Sequence, residues 1–431
     1  MTTLSISPLS ASIDEPIAIG VAELAPGSRV HLKLRNHSLK AEARAEFVAS
    51  AEGTVDVALH APVAGDYEGT DPAGLFWSAR FDAGSDVVTM VDALSRLEPL
   101  TYTLTASTDG GRDVALDFTR RLVAANVVRT PVRAGRVRGA LFARQGVTNA
   151  PGVIVLGGSD GGNLWQFVAA LLAEHGCAAL SLPYFAYEDL PKELIEIPLE
   201  YFDEAMQWLR ARPEVGAAQV GVLGMSRGGE AALLLGASYT EVAAVVALVP
   251  SGVTGTGIGA DVSAMARSAW TRNGASFPVF PPPGDPLMMQ EAGAAFATGA
   301  PFKGAPAFLR ALQSAGERID DYAIRVERTR GAIFMASGED DQLWGSTLLA
   351  EIAEKRLHGA AFRYPFEHRR YPSAGHFGCL PPNLPATSTV GRHQVVGLSL
   401  AFGGTARANA AASADLWPRI VTFLHRHLAL R

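Results

Sequence analysis

The chain has 431 residues, 48% of them hydrophobic and 19% charged, which is the composition of a packed globular protein and excludes a disordered one. Its formal charge of −6 supplies no basic field for nucleic acid or anionic lipid. Two cysteines build no disulfide framework and point to a reducing compartment, while the length calls for two domains or one large domain with an insertion.

The opening stretch, MTTLSISPLSASIDEP, has neither a basic start nor an apolar centre, so no secretory signal is expected. No apolar run reaches the roughly 18–20 residues of a membrane helix, and the final HRHLALR is no peroxisomal tripeptide. A cytoplasmic protein is the expectation, without nucleic acid or membrane among its partners. From Leu4 to about Val132, the stretches IAIGVAEL, RVHLKLRN, TVDVALHA, LTYTLTAS and VALDFTRR alternate or carry β-branched residues. Turn clusters such as APGS, PVAGDYEG and TDGGRD punctuate them. This pattern predicts an antiparallel β-sandwich over residues 1–132, and RTPVRAGRVRGALFARQG reads as a connector and the first hairpin of a second domain.

From Pro151 the period changes. PGVIVLGG, CAALSLPYF, VGVLG and VAAVVALVP read as buried strands, and NLWQFVAALLAEHG, IPLEYFDEAMQWLRARPE and RGGEAALLLGAS as the helices between them. Strand and helix alternating in this way predict a mostly parallel sheet with helices on both faces over residues 133–431. Residues 254–330 interrupt the rhythm with dense Gly and Pro and read as a lid or pocket-wall insertion. GAIFMASGEDD, STLLAEIAEKRLHG, FRYPFEHRRYP and ADLWPRIVTFLHRHL then restore it.

GVLGMSRGGEAALLLGAS, residues 221–238, sets a Gly-x-Ser-x-Gly turn between a strand and a helix. There Ser226 is either a nucleophile on a sharp elbow or a helix N-cap. A serine nucleophile needs a base, and the base an orienting acid. In an α/β-hydrolase both follow the serine, acid first and histidine second. MASGEDDQLW offers Asp340 or Asp341 just past a strand, and YPSAGHFGC offers His376 in a glycine-flanked loop past the next one. His31, His37, His60, His175, His425 and His427 fall in the sandwich or on helices, where a surface or capping role is the simpler reading.

An oxyanion hole would combine the amide of Arg227 with amides of the VLGGSDGGN loop at Gly158 and Ser159. That glycine loop lacks the Lys-Ser/Thr ending of a phosphate cradle. Cys177 and Cys379 read as packing residues. No His, Asp and Glu group has metal-ligand spacing, so neither metal nor cofactor is expected.

PGVIVLGGSDGGNLWQFVAALLAEHG, FAYEDLPKELIEIPLEYF and VGVLGMSRGGE together resemble the acyl-CoA thioesterase and bile acid-CoA:amino acid N-acyltransferase family. SPLSASIDEPIAIGVAELAPGSRVHLKL and GDYEGTDPAGLFWS resemble that family's N-terminal β-sandwich. The resemblance implies Ser226, Asp341 and His376 acting on an acyl-CoA thioester. Asp341 ends the family's Gly-Glu-x-Asp segment, and His376 ends its Tyr-Pro-x-Ala-Gly-His segment. Members carry serine or cysteine as nucleophile. The oxyester formed by a serine favours water over an amine as acceptor, hence a thioesterase with CoA entering as part of the substrate. The alternatives are transfer of an acyl group from CoA or a carrier protein to an amine or alcohol, a general carboxylesterase, and a non-enzymatic binding module.

Overall fold

The computed structural model describes residues 2–216, 219–282 and 284–428. Its first part holds two small sheets. One joins Thr3–Ser7, Ala18–Ala22 and Val55–Asp56, and the other runs Ser10–Ser12, Val114–Arg121, Leu100–Thr108, Arg29–Asn36, Ala41–Val48, Ala64–Gly65. Pairing is antiparallel except between Ser10–Ser12 and Val114–Arg121, which run parallel. In Arg29–Asn36 the residues Val30, Leu32 and Leu34 turn inward and alternate with exposed ones, the signature of a strand with one wet face. Ala41–Val48 escapes sequence inspection because its inward residues are mostly alanines, which are weak strand formers. TVDVALHA yields only Val55–Asp56, and a helix over Val87–Ser95, capped by the Asp86 side chain, is an addition to the all-strand expectation.

Eight strands make the second sheet: β1 (Val127–Ala134), β2 (Val137–Arg144), β3 (Gly152–Leu156), β4 (Ala178–Ser181), β5 (Val220–Met225), β6 (Val242–Leu248), β7 (Ala332–Gly338) and β8 (Phe366–Tyr371), in spatial order β1-β2-β4-β3-β5-β6-β7-β8. β2 pairs antiparallel with β1 and β4, and every other neighbouring pair is parallel. This is an α/β-hydrolase sheet. β1 hydrogen-bonds along its whole length with β2, so the sheets change between Arg121 and Val127, and residue 132 lies within the first strand of the large sheet.

The central strands are buried on both faces, which explains their unbroken apolar runs. Val153, Val155, Val246 and Phe334 face one core, and Ile154, Leu156, Val245 and Ile333 the other. On the first face lie α1 (Gln166–Glu174) and, at the end of the chain, α7 (Ala406–Leu428). On the second lie α2 (Leu199–Arg210), α3 (Arg227–Ser238) and α6 (Ser346–Gly359). Between β6 and β7 the chain leaves the sheet to form α4 (Pro286–Thr298) and α5 (Ala305–Ala315). The α1/α7 core is continuous with that of the N-terminal sheets.

Candidate active site

β5 ends on Met225 and α3 begins on Arg227, leaving Ser226 alone at the turn with φ 58° and ψ −120°. A non-glycine residue occupies this region only when its surroundings force it there. The two flanking glycines are those surroundings. A Cβ on Gly224 would lie 1.9 Å from the Gly228 carbonyl oxygen, and one on Gly228 would lie 2.3 Å from that of Gly157. Backbone from three segments thus closes tightly around the turn. The Ser226 side chain makes no capping bond to α3, which removes the N-cap alternative.

The carboxyl ends of β7 and β8 supply the other two residues. His376 Nδ1 lies 2.8 Å from Asp341 Oδ2, both side chains being almost wholly buried. The amide of Leu343 also donates to the Asp341 carboxylate at 2.9 Å. Burial alone would push this carboxyl up, but the His376 imidazole and the donated hydrogen bonds outweigh it and hold the group below the usual carboxylate range. An ionised Asp341 accepts, so His376 Nδ1 donates, the tautomer that in a neutral ring leaves the lone pair on Nε2. Asp340 points elsewhere, accepting from the Gln342 amide group at 3.0 Å and the Gly404 amide at 2.9 Å. Trp344 and Phe377 meet the His376 ring edge-to-face at 6.0 and 5.8 Å, and Phe402 stacks at 6.2 Å. Among the described residues no hydrogen bond joins Ser226 Oγ to His376.

Gly158 and Ser159 follow β3 and lie against the elbow; a Cβ on Gly158 would sit 3.3 Å from Ser226 Cβ. Among the described residues the amides of Gly158, Ser159 and Arg227 have no acceptor, as an anion-binding set requires. Tyr184 Oη is 2.8 and 2.9 Å from the carbonyl oxygens of Gly157 and Gly158 and anchors the loop from behind. The Arg227 side chain turns away to pair with Glu230 at 2.6 Å and with the Thr256 carbonyl. Glu230, fully buried, also accepts from Trp270 Nε1 and the Gly255 amide, both at 2.7 Å, which ties the 254–258 segment to the start of α3. Burial pushes the Glu230 carboxyl up, against the pull of Arg227.

Ser159, Ser226 and Arg227 line one end of a cavity of about 360 Å³. The rest of its lining is mostly apolar, with Met265 and Phe280, Met288 and Met289 of α4, Phe308 of α5, and Leu398 and Leu400, and with Thr256 and Asp261 among them. His393 joins them through a bond to Ser159. Loops and helix ends of the N-terminal part hold the segment between His376 and His393. Asn383 Nδ2 donates to the Ile13 carbonyl at 2.8 Å, the Ala386 amide to Trp77 at 2.9 Å, Thr387 Oγ1 to Ala79 at 2.7 Å, and the Arg392 amide to Asp86 at 3.2 Å.

Tyr184, Glu230, Trp270 and His393 were not legible as site residues. Tyr184 follows a strand in the PYF tripeptide, an ordinary place for a core aromatic, and His393 sits in an irregular stretch with no flanking pattern. Cys379 packs under His376, with Sγ 3.4 Å from its carbonyl oxygen, and burial pushes its thiol far up, so it is held as an inert thiol. His175, read as a helix-end residue, bonds Asp14 of the N-terminal part. Among the described residues there is no group of three or more His, Cys, Asp or Glu arranged to hold a metal, and no helix is long and apolar enough to cross a membrane.

Two family models match the chain: the C-terminal domain of the BAAT/acyl-CoA thioester hydrolase family over residues 197–430, and the N-terminal region of the same family over residues 14–134. Among similar proteins, the mitochondrial acyl-coenzyme A thioesterase 2 of Mus musculus is 32% identical over 99% of this chain and 89% of its own. Acyl-coenzyme A thioesterase 1 of Rattus norvegicus is 32% identical over 99% and 97%, and the peroxisomal succinyl-coenzyme A thioesterase of Mus musculus 30% over 99% and 97%. The α/β hydrolase GrgF from Penicillium sp. sh18 aligns with a TM-score of 0.41 and 15% identity, over 70% of this chain and 99% of that one.

Proposed function

The chain belongs to the acyl-CoA thioester hydrolase/BAAT family and is an acyl-CoA thioester hydrolase, and we propose that Ser226, His376 and Asp341 carry its reaction. The observation behind this reading is the strained elbow that isolates Ser226 at the edge of the sheet where the Asp341–His376 pair also lies. Ser226 Oγ attacks the thioester carbonyl carbon, its proton passes to His376 Nε2, and the carbonyl π pair moves onto oxygen. The amides of Arg227, Gly158 and Ser159 hold that oxyanion. When the carbonyl re-forms, the C–S bond breaks and His376 protonates the departing thiolate, leaving acyl-Ser226 and CoA. Water then repeats the sequence: His376 takes its proton, the Ser226 Oγ–C bond breaks, and the proton returns to Oγ. Asp341 holds the tautomer and stabilises the imidazolium. The missing Ser226–His376 bond accords with this, since catalytic hydrogen bonds are commonly loose before substrate fills the site.

No step calls on a metal or cofactor. The apolar cavity takes the acyl chain, and the insertion that forms α4 and α5 walls it. Serine as nucleophile supports water as acceptor, because an oxyester is a poorer acyl donor to amines than a thioester.

Thiol release from a panel of short, medium, long and aromatic acyl-CoAs tests the assignment. Ser226→Ala is expected to lose about 10⁴-fold or more in kcat, and mass spectrometry to find free acid even with glycine or taurine present. Undiminished thiol release by Ser226→Ala would remove the serine from the mechanism, and an amide product would make the enzyme a transferase.

A further inference from the structure

His393 and Ser159 form a hydrogen-bonded pair inside the cavity that contains Ser226, with Nε2 and Oγ 2.9 Å apart. The ring's other nitrogen fixes which atom donates. His393 Nδ1 accepts from the amides of Val395 at 3.2 Å and Val396 at 3.4 Å, so it carries no proton. Burial of the ring favours its neutral form and holds it below its ordinary value, against the weaker opposing field of Asp160. The single proton therefore sits on Nε2 and is donated to Ser159 Oγ. The hydroxyl, already accepting on that side, has its own proton left over, and no acceptor for it exists among the described residues. Ser159 lines the cavity next to the nucleophile, one residue beyond the Gly158 backbone that touches Ser226 Cβ.

We propose that the Ser159 hydroxyl is a further oxyanion donor, acting beside the backbone amides on the same thioester oxygen, and that His393 is the positioning residue that aims it. This rests on Ser226 being the nucleophile. As the Ser226 Oγ–C bond forms and the carbonyl pair moves onto oxygen, that oxygen accepts the Ser159 O–H. When the carbonyl re-forms and the C–S bond breaks, the hydrogen bond relaxes. Ser159 gives up no proton at any stage. His393, with its Nδ1 acceptor occupied by two amides, takes no part in the proton relay of His376. A donor aimed at charge that exists only in the transition state acts on kcat and leaves KM nearly alone.

The test is a cycle of Ser159→Ala, His393→Leu and the double variant, with His393→Gln and Ser226→Ala alongside, each assayed for thiol release from acyl-CoAs of several chain lengths. Ser159→Ala is expected to lose about 10²-fold in kcat, equally for every acyl group and at nearly constant KM. His393→Leu should lose a similar factor, and the double variant no more than Ser159→Ala, because both remove one interaction. His393→Gln, whose terminal amide can still donate to Ser159, should recover most of the rate. A Ser159→Ala enzyme with wild-type kcat overturns the proposal, as does a loss confined to KM. So does a loss confined to acyl groups that carry an oxygen near the thioester, which would make Ser159 a substrate-selective contact. Activity surviving in Ser226→Ala would instead overturn the nucleophile assignment underneath.

Discussion

At the scale of single residues, the arrangement separates two adjacent aspartates by what they touch. Asp341 meets His376 Nδ1, whereas Asp340 accepts from Gln342 and Gly404 and braces the loop. Asp341→Asn is expected to lower kcat by about 10⁴-fold, because an amide in that place permits the wrong imidazole tautomer. Asp340→Asn keeps one acceptor oxygen for the Gly404 amide, while the Gln342 side-chain amide can reverse to accept from the new NH2, and should leave kcat near wild type. Steady-state kinetics of the two variants side by side check this, and equal losses would show that the pairing does not govern the chemistry. Ser226 shows how far a local pattern reaches. The turn was legible because Gly224 and Gly228 are required by backbone contact alone, but the same residues fit a helix cap until the unused side chain and the φ of 58° are seen.

At the scale of elements, the strands and helices around the sheet were legible almost throughout, since burial on both faces writes continuous apolar runs. α3 and α6 fall where RGGEAALLLGAS and STLLAEIAEKRLHG put them. The insertion was legible only as an interruption. α4 buries a single residue, Ala295, and leaves Leu287, Met289 and Phe296 largely exposed, so its periodicity reports no core. Its contribution to the cavity is Met288, Met289 and Ala292. If α4 walls the acyl chain, Met288→Trp shortens the cavity. The ratio kcat/KM is then expected to fall with increasing acyl length, roughly tenfold or more for the longest chains, and to hold for the shortest. A chain-length profile that keeps its shape would move the acyl group elsewhere.

Across the whole molecule, the N-terminal residues pack against the helices of the large sheet. They share a core with α1 and α7 and hold the segment that leads from His376 to His393. A polar joint reinforces this contact: Asp14 accepts from His175 and, at 2.7 Å, from Trp417 Nε1. The hydrogen bond donated to Asp14 raises the His175 pKa above its ordinary 6.5, against the effect of burial. Burial would raise the Asp14 carboxyl, but the bonds from His175 and Trp417 together hold it below its ordinary 3.8. For His175 the stabilisation is complete below 6.5 and lost as pH rises through its raised folded value. For Asp14 it is complete above 3.8 and lost as pH falls through its lowered folded value. The joint is therefore strongest between these limits, in mildly acidic solution. Melting temperature and Trp417 fluorescence followed against pH should show that window, and Asp14→Asn should flatten its alkaline side. An unchanged alkaline limb in the variant would assign the titration to another group.

What the sequence determined by itself is what short stretches of backbone dictate: the sheet's alternation, the glycine-flanked elbow at Ser226, and the placing of the residues proposed as acid and base in loops after successive strands. Each follows from periodicity or from the steric demands of a few adjacent residues. For the acid, the residues alone left Asp340 and Asp341 open, and only the family resemblance favoured one. Tertiary structure decided the rest, because the deciding contacts join residues far apart in the chain. The Asp341–His376 bond spans 35 positions and the Ser159–His393 bond 234, and the cavity walls come from five separate segments. No local pattern encodes such contacts: they exist only once burial has made an unpaired polar group costly enough to select its partner.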